Sequence, residues 1–287
     1  MNKFLKGFLI GALAFIVAYF LFIYIPTAFR GQIIPDPNFI LIRTFTIKWY
    51  GFLIACAVLI AYFLADKEMI KNSIKSTSAE AIPIYVIAFG FIGARLGFVV
   101  QNIPYFSKNL LEVVRIWDGG LSIHGAILGG LIGIWIAASI YREKFLKIAN
   151  LIAPTIFLAG AIGRFGNFFN QEIIGQPTDV WWKMYIAPQN RPAGYENFDF
   201  FHPVFLYESI LFVFFYLIYL CLSKKYGSRF GFAYTLIFYS VTRIIVEFWR
   251  IDYKPTLGPF DLAQLVSFGI ILIGLIVAVM TLTKGKK

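Results

Sequence analysis

The feature that most constrains this chain is a succession of apolar runs, each close to the length that crosses a lipid bilayer. A helix rises about 1.5 Å per residue, so roughly 20 residues cover a hydrocarbon core about 30 Å thick. Eight such runs are legible, at residues 7–25, 50–65, 82–100, 123–140, 148–163, 205–222, 231–249 and 261–282. Composition agrees: 59% of the 287 residues are hydrophobic and only 14% are charged, where about a quarter is usual for soluble domains. Segments inside lipid must satisfy their own backbone hydrogen bonds. The expected fold is therefore all-α, a polytopic integral membrane protein of about eight transmembrane helices. Residues 1–30 resemble a signal peptide in carrying Lys3 and Lys6 before an apolar run, but Gly7 to Ile25 is long for a signal core. The expectation is an uncleaved N-terminal span at 1–30 followed by one transmembrane domain at 31–287.

The formal charge of +11 would suit a nucleic-acid partner if it were spread over one face. It is not. With the N-terminus placed in the cytoplasm, the inner segments carry 14 Lys and Arg against four acids, and the outer segments ten against nine. This is the positive-inside bias that orients membrane proteins, and it leaves no excess for a nucleic acid. Both termini are then cytoplasmic, and the loops at 26–49, 101–122, 164–204 and 250–260 face outward.

Polar chemistry concentrates in one of those outward places. Gly163-Arg164-Phe165-Gly166-Asn167-Phe168-Phe169-Asn170-Gln171-Glu172-Ile173-Ile174-Gly175 follows an apolar run and gathers an arginine, two asparagines, a glutamine and a glutamate. Arg164 offers a planar fork for phosphate or carboxylate, and Asn167, Asn170 and Glu172 suit a hydroxylated head group. The bland alternative is a helix terminus with a glycine stop and solvated polar groups. The rest of 164–204, with Trp181, Trp182, Tyr185, Pro188, Pro192 and Tyr195, reads as a folded lid or interfacial arm.

Other charged or titratable residues fall in or beside spans. Tyr50, in Lys48-Trp49-Tyr50-Gly51, is an interface anchor or a site hydroxyl. Arg95 lies near the outer half of the third run, either snorkelling to the interface or serving a site, since intramembrane charge is costly. His124 opens a run containing Gly125, Gly129, Gly130 and Gly133, the small-residue pattern that lets membrane helices pack closely. Histidine is also the side chain that exchanges protons near neutral pH. His202-Pro203 leads into Leu206-Tyr207-Glu208, where Glu208 is a partner for an intramembrane arginine. Arg243 and Glu247 are four residues apart on one helical face, with Arg250 following on the same side. Cys56 and Cys221 fall in different spans, too far apart to bridge. No cluster has metal-ligand spacing, and no phosphate loop or nucleophile elbow is present, so neither metal nor cofactor is expected. An outward cavity lined by His124, Arg164, Asn167, Asn170, Glu172 and Arg243 would suit a phospholipid head group.

With those residues assembled, the chain resembles the prolipoprotein diacylglyceryl transferase family. Gly163 to Gly175 matches its G-R-x-G-N-F-x-N-x-E-x-x-G signature at every fixed position. Trp49-Tyr50-Gly51, Asp118-Gly119-Gly120-Leu121-Ser122 with His124-Gly125, His202-Pro203 with Leu206-Tyr207-Glu208, and Arg243 to Arg250 are similar to its other landmarks in order, over roughly 36–285. Ala126 stands where the family usually has a second glycine, and the span at 7–25 looks like an addition. The resemblance implies transfer of a diacylglyceryl group from phosphatidylglycerol to the lipobox cysteine of a prolipoprotein signal peptide, at the bilayer. It further implies catalytic roles for His124, Arg164 and Arg243. It places Arg164, Asn167, Asn170, Glu172, Gly175, Tyr50 and Tyr239 on the lipid, with Glu208, Glu247, Arg250 and Arg95 in supporting ion pairs. Whether His124 takes the thiol proton or orients a neighbour is left open. A lipid or anion transporter would predict inverted repeats and midplane sites, and a structural scaffold would have no use for these clustered arginines.

Overall fold

The computed structural model describes residues 11–12, 14–42, 45–116, 119–251, 256–257 and 260–284. Trp117-Asp118 of the histidine motif, and residues 7–10 and 13 of the first expected span, lie outside them. The chain runs α1 (Ala14–Phe29, with a π-helical turn at Phe20–Tyr24), β1 (Asn38–Ile42), β2 (Phe45–Lys48), α2 (Trp49–Lys71), α3 (Ser76–Gln101) and α4 (Ile123–Ile140). It continues through α5 (Phe145–Ile152), α6 (Thr155–Asn170), β3 (Met184–Tyr185), β4 (Phe200–Phe201) and α7 (Val204–Tyr226). The last elements are α8 (Gly231–Glu247), β5 (Thr256–Leu257), β6 (Phe260–Asp261) and α9 (Leu262–Lys284).

Among the described residues, six helices are long and apolar enough to cross a membrane, and seven if α5 and α6 form one bent span. The expected eight are thus seven at most, plus the shorter apolar helix α1. In the most apolar stretch of α9 only 11% of residues are buried within the protein. A helix that is apolar all round yet so little covered needs lipid around it, and the chain is a multi-pass membrane protein. Among the described residues the strands form three separate two-stranded ribbons in the connections.

One span differs instructively from expectation. The run expected at 148–163 is broken at Ala153-Pro154, where α5 and α6 meet at 40°, because proline removes a helical donor and its ring crowds the preceding turn. The helix then continues past Ile162 to Asn170. The polar residues Arg164, Asn167 and Asn170 therefore belong to α6, and the connecting segment begins only at Gln171.

By contacts the chain divides into two compact units: 1–54, 161–211 and 242–267 make the first, and 55–160, 212–241 and 268–287 the second. The first has an aromatic core of Phe29, Phe168, Phe169, Phe201 and Phe205 with Met184 and Ile186. Trp49 stacks on Phe169, centroids 4.5 Å apart and planes 7° from parallel, and Phe20 and Tyr24 of α1 pack against the same rings. The arm between α6 and α7 joins this core through the pairs Met184↔Phe201 and Tyr185↔Phe200 and the bridges Pro177↔Phe201 and Gly175↔Arg250. The second unit is built on the α3–α4 seam. A Cβ at Gly93 would lie 2.3 Å from the Gly125 carbonyl oxygen, and one at Gly129 would lie 2.1 Å from that of Phe89. The glycine-rich pattern thus gives backbone-to-backbone packing, which only glycine allows.

Candidate active site

In the first unit, α6 brings Arg164 and Asn167 onto one face by their i, i+3 spacing. Close approach of α2 shapes the adjacent side: a Cβ at Gly166 would meet the Tyr50 ring at 2.4 Å, and one at Gly163 would meet Ile54 at 3.1 Å. Tyr50, itself exposed, therefore lies against α6. The helix ends without a glycine. Gln171 takes φ +51, its N–H bonds to Phe168 O at 3.1 Å, and Glu172 N–H bonds to Asn167 O at 3.0 Å. This is the Schellman closure with a glutamine in the left-handed position. The cost of left-handed backbone in an L-residue is roughly 1–2 kcal/mol. The side chain offsets it: Gln171 Nε2 donates to Tyr185 O at 3.2 Å, and Oε1 accepts from Ala187 N and Asn190 Nδ2, both at 3.0 Å. Each such bond contributes about 1 kcal/mol. Sequence reading missed Gln171, although a buried side chain that pins the arm is as consequential as its neighbours. Ile173 also has positive φ, +55, which is unusual for a β-branched residue. Glu172 is thus held between two left-handed residues.

The charges form an alternating row. Arg164 Nη2 lies 2.6 Å from Glu208 Oε1, and Arg243 Nη1 approaches the same oxygen at 4.0 Å. Arg243 Nη2 pairs with Glu247 Oε2 at 3.0 Å, and Arg250 Nη1 reaches that oxygen at 3.8 Å. Glu208 is fully buried, and its Oε2 has no hydrogen-bond partner among the described residues. Three arginines against two carboxylates leave the row with a net charge of +1. It extends sideways from Arg164 Nη1 to Asn167 Oδ1 at 3.3 Å, then from Asn167 Nδ2 to Glu172 Oε1 at 2.8 Å, which also accepts from Asn170 Nδ2 at 3.1 Å. Gly175 has a packing role: a Cβ there would meet His202 Cβ at 2.6 Å, Val204 Cγ2 at 2.8 Å and Trp249 O at 3.0 Å.

Beside the row, Trp182 Nε1 donates to Tyr207 OH at 2.6 Å and His202 Nδ1 lies 2.8 Å from the same oxygen. An indole only donates, so the hydroxyl oxygen accepts from Trp182, while the histidine tautomer sets which partner donates between Tyr207 and His202. Burial pushes the His202 value down from its ordinary one, consistent with a neutral ring.

The second unit carries His124, Tyr239 and Arg95. His124 is exposed in the first turn of α4. Tyr239 stacks on Phe212, centroids 5.6 Å apart. Arg95 corrects an expectation. It was expected in an ion pair, yet it is buried and donates to the backbone carbonyls of Glu112, Val113, Arg115, Gly119 and Gly120. Chain length from the spans sets how far an arginine must reach for a charge, but not that a loop folds back to offer carbonyls nearer by. No group of three or more His, Cys, Asp and Glu placed to hold a metal occurs among the described residues. Cys56 and Cys221 are free thiols.

The family model described as prolipoprotein diacylglyceryl transferase matches residues 37–280. A phosphatidylglycerol–prolipoprotein diacylglyceryl transferase of Thermotoga maritima is 38% identical over 281 residues, 96% of this chain and 94% of its own. Proteins of the same description from Fervidobacterium nodosum and Acaryochloris marina are 39% and 37% identical, covering 88% and 87% of this chain and 88% and 90% of their own.

Proposed function

The chain belongs to the prolipoprotein diacylglyceryl transferase family, and on that premise we propose that it moves the diacylglyceryl group of phosphatidylglycerol onto the lipobox cysteine of an exported prolipoprotein. In that reaction the carbon–oxygen bond to the phosphate breaks and a carbon–sulfur bond forms. The thiol proton leaves to a base, and the head group departs as glycerol phosphate.

The observation that carries this reading is the row Arg164–Glu208–Arg243–Glu247–Arg250. Among the described residues Arg164 and Arg243 spend only part of their N–H donors on protein acceptors. The departing phosphate gains charge as its ester becomes a monoester. Arginine donors fixed beforehand by buried carboxylates stabilise that developing charge more than the ground state, which is what lowers a barrier. Asn167, Asn170 and Glu172, cross-linked to Arg164, supply acceptors and donors for glycerol hydroxyls.

A thiol with a pKa near 8.5 is a poor nucleophile until it loses its proton. His124 fills that need, either as the base or by orienting it. The enzyme sits in the bacterial cytoplasmic membrane with its chemistry toward the outer side, in keeping with the bias of Lys and Arg to the other. The test is transfer from labelled phosphatidylglycerol to a lipobox peptide by the purified protein. A thioether product is expected, with much less from His124→Asn at neutral pH and a defect that shrinks as rising pH ionises the thiol unaided. No product from the folded wild type would overturn the function, and a defect constant with pH would remove His124 as the base.

A further inference from the structure

We infer that Arg95 is a positioning residue for the reaction: its guanidinium fixes the backbone at residues 112–115 and 119–120 and thereby sets where His124 stands at the head of α4. The inference rests on the role given to His124 above. A guanidinium has five N–H donors, and here each meets a different carbonyl. Nε donates to Val113 O at 2.8 Å, Nη1 to Gly119 O and Gly120 O at 2.7 and 3.0 Å, and Nη2 to Glu112 O and to Arg115 O, the latter at 3.1 Å. The Phe98 and Phe106 rings lie 5.8 and 5.4 Å from the guanidinium carbon.

The loop is built to accept this. Gly119 and Gly120 both have positive φ, +88 and +78, which turns two successive carbonyls toward one nitrogen. A Cβ at Gly120 would lie 2.4 Å from the Phe98 ring, so that approach admits only glycine. Beyond the glycines, α3 grips the chain again. Ser122 N–H bonds to Ala94 O at 2.9 Å, the residue next to Arg95. Gln101 Nε2 donates to Ser122 Oγ at 2.7 Å, and that oxygen caps the Gly125 N–H at 3.5 Å. His124 is thus two residues past a cap held at two points, in a segment clamped from the other side by Arg95. Lysine could not substitute, since one ammonium has three donors and no planar fork.

The experiment uses the full chain in lipid nanodiscs, with Arg95→Lys as the principal variant and three readouts. Amide exchange over 112–124 reports the clamp. Diethyl pyrocarbonate modification reports the surroundings of His124, with His202, the only other histidine, as internal control. Turnover and KM report the consequence. Exchange over 112–124 should rise by about tenfold or more through local opening, and the modification rate should change at His124 but not at His202. Misplacing a catalytic group by about 1 Å costs on the order of a hundredfold in turnover, and KM for phosphatidylglycerol should hold within about twofold.

Wild-type exchange and wild-type His124 reactivity in Arg95→Lys would overturn the inference whatever turnover does. So would parallel changes at both histidines, which would mean general loosening. If that variant does not fold, Gly119→Ala serves instead: nothing lies within 4 Å of the added carbon, so it disturbs the same carbonyls through φ alone. It should give the same pattern, and wild-type behaviour there also overturns the inference. Should His124→Asn transfer normally, the role of His124 fails, while exchange and modification still measure whether Arg95 places it.

Discussion

Arginine is held in two different ways among the described residues, half-buried at Arg164 and Arg243 and buried at Arg95. In the first unit Arg164 and Arg243 are held by carboxylates, share one Glu208 oxygen, and keep donors that no protein acceptor among the described residues takes. In the second unit Arg95 gives all five donors to neutral carbonyls. The difference separates work from scaffolding. An arginine beside carboxylates can trade part of its charge interaction for a phosphate, because like partners replace each other. One saturated by carbonyls has nothing to offer a ligand without unfolding the loop that supplies them. The charge is the same in both, and the donor accounting tells them apart.

The largest test of the contrast removes the shared carboxylate. Glu208→Ala removes the buried carboxylate that Arg164 and Arg243 share and should destabilise the fold by about 3 kcal/mol, the low end for a broken buried pair because both arginines keep some contact with their surroundings, read by denaturant unfolding in detergent. Glu208→Gln, which keeps the volume and an acceptor, should lose less. A loss under about 1 kcal/mol in the alanine variant would show that the arginines do not depend on it, and the contrast would break. Next comes Arg243→Lys, which keeps charge but not the fork. It should cost about 3 kcal/mol in single-turnover rate while lipid binding weakens much less. Equal losses in binding and turnover would place Arg243 on the ground state only. The mildest test is pH, since carbonyl anchors do not titrate but the arm beside the carboxylate-held row carries His202. Its value is lowered in the folded protein by burial, so the unfolded chain binds the proton more readily. Arm stability should therefore be full above about pH 6.5, the ordinary histidine value, and decline below it. Limited proteolysis of 171–203 across that range checks the sign, and a His202→Gln arm that still softened with acid would assign the effect elsewhere.

Much of this architecture is legible in sequence because lipid leaves few options. Apolar runs of the right length become helices, and six of the eight expected runs correspond to single long helices. The i, i+4 spacing of Arg243 and Glu247 announces their pairing, and the glycine pattern after His124 announces the tight seam. What the sequence conceals is tertiary in origin. The helix through Arg164 to Asn170 looks like a loop because its residues are polar, and their acceptors arrive from Glu208, Glu172 and each other. Gln171 gives no sign that it will adopt left-handed backbone, since the hydrogen-bond partners that make this worthwhile come from residues 14 to 19 positions further on. Arg95 suggests an ion pair because an isolated charge demands a partner, and only a fold can reveal that five dipoles serve as well.

The α3–α4 seam has a consequence for how the protein tolerates inherited change. At Gly93, Gly125 and Gly129 a single added carbon would sit 2.1 to 2.3 Å from a backbone oxygen, and backbone, unlike a side chain, cannot swing aside. Those three positions accept one letter of the amino-acid alphabet although they perform no chemistry. Deleterious variants should therefore fall as densely along this plain stretch as around the arginines, and a map of damaging substitutions read without the structure would mistake it for a second active site.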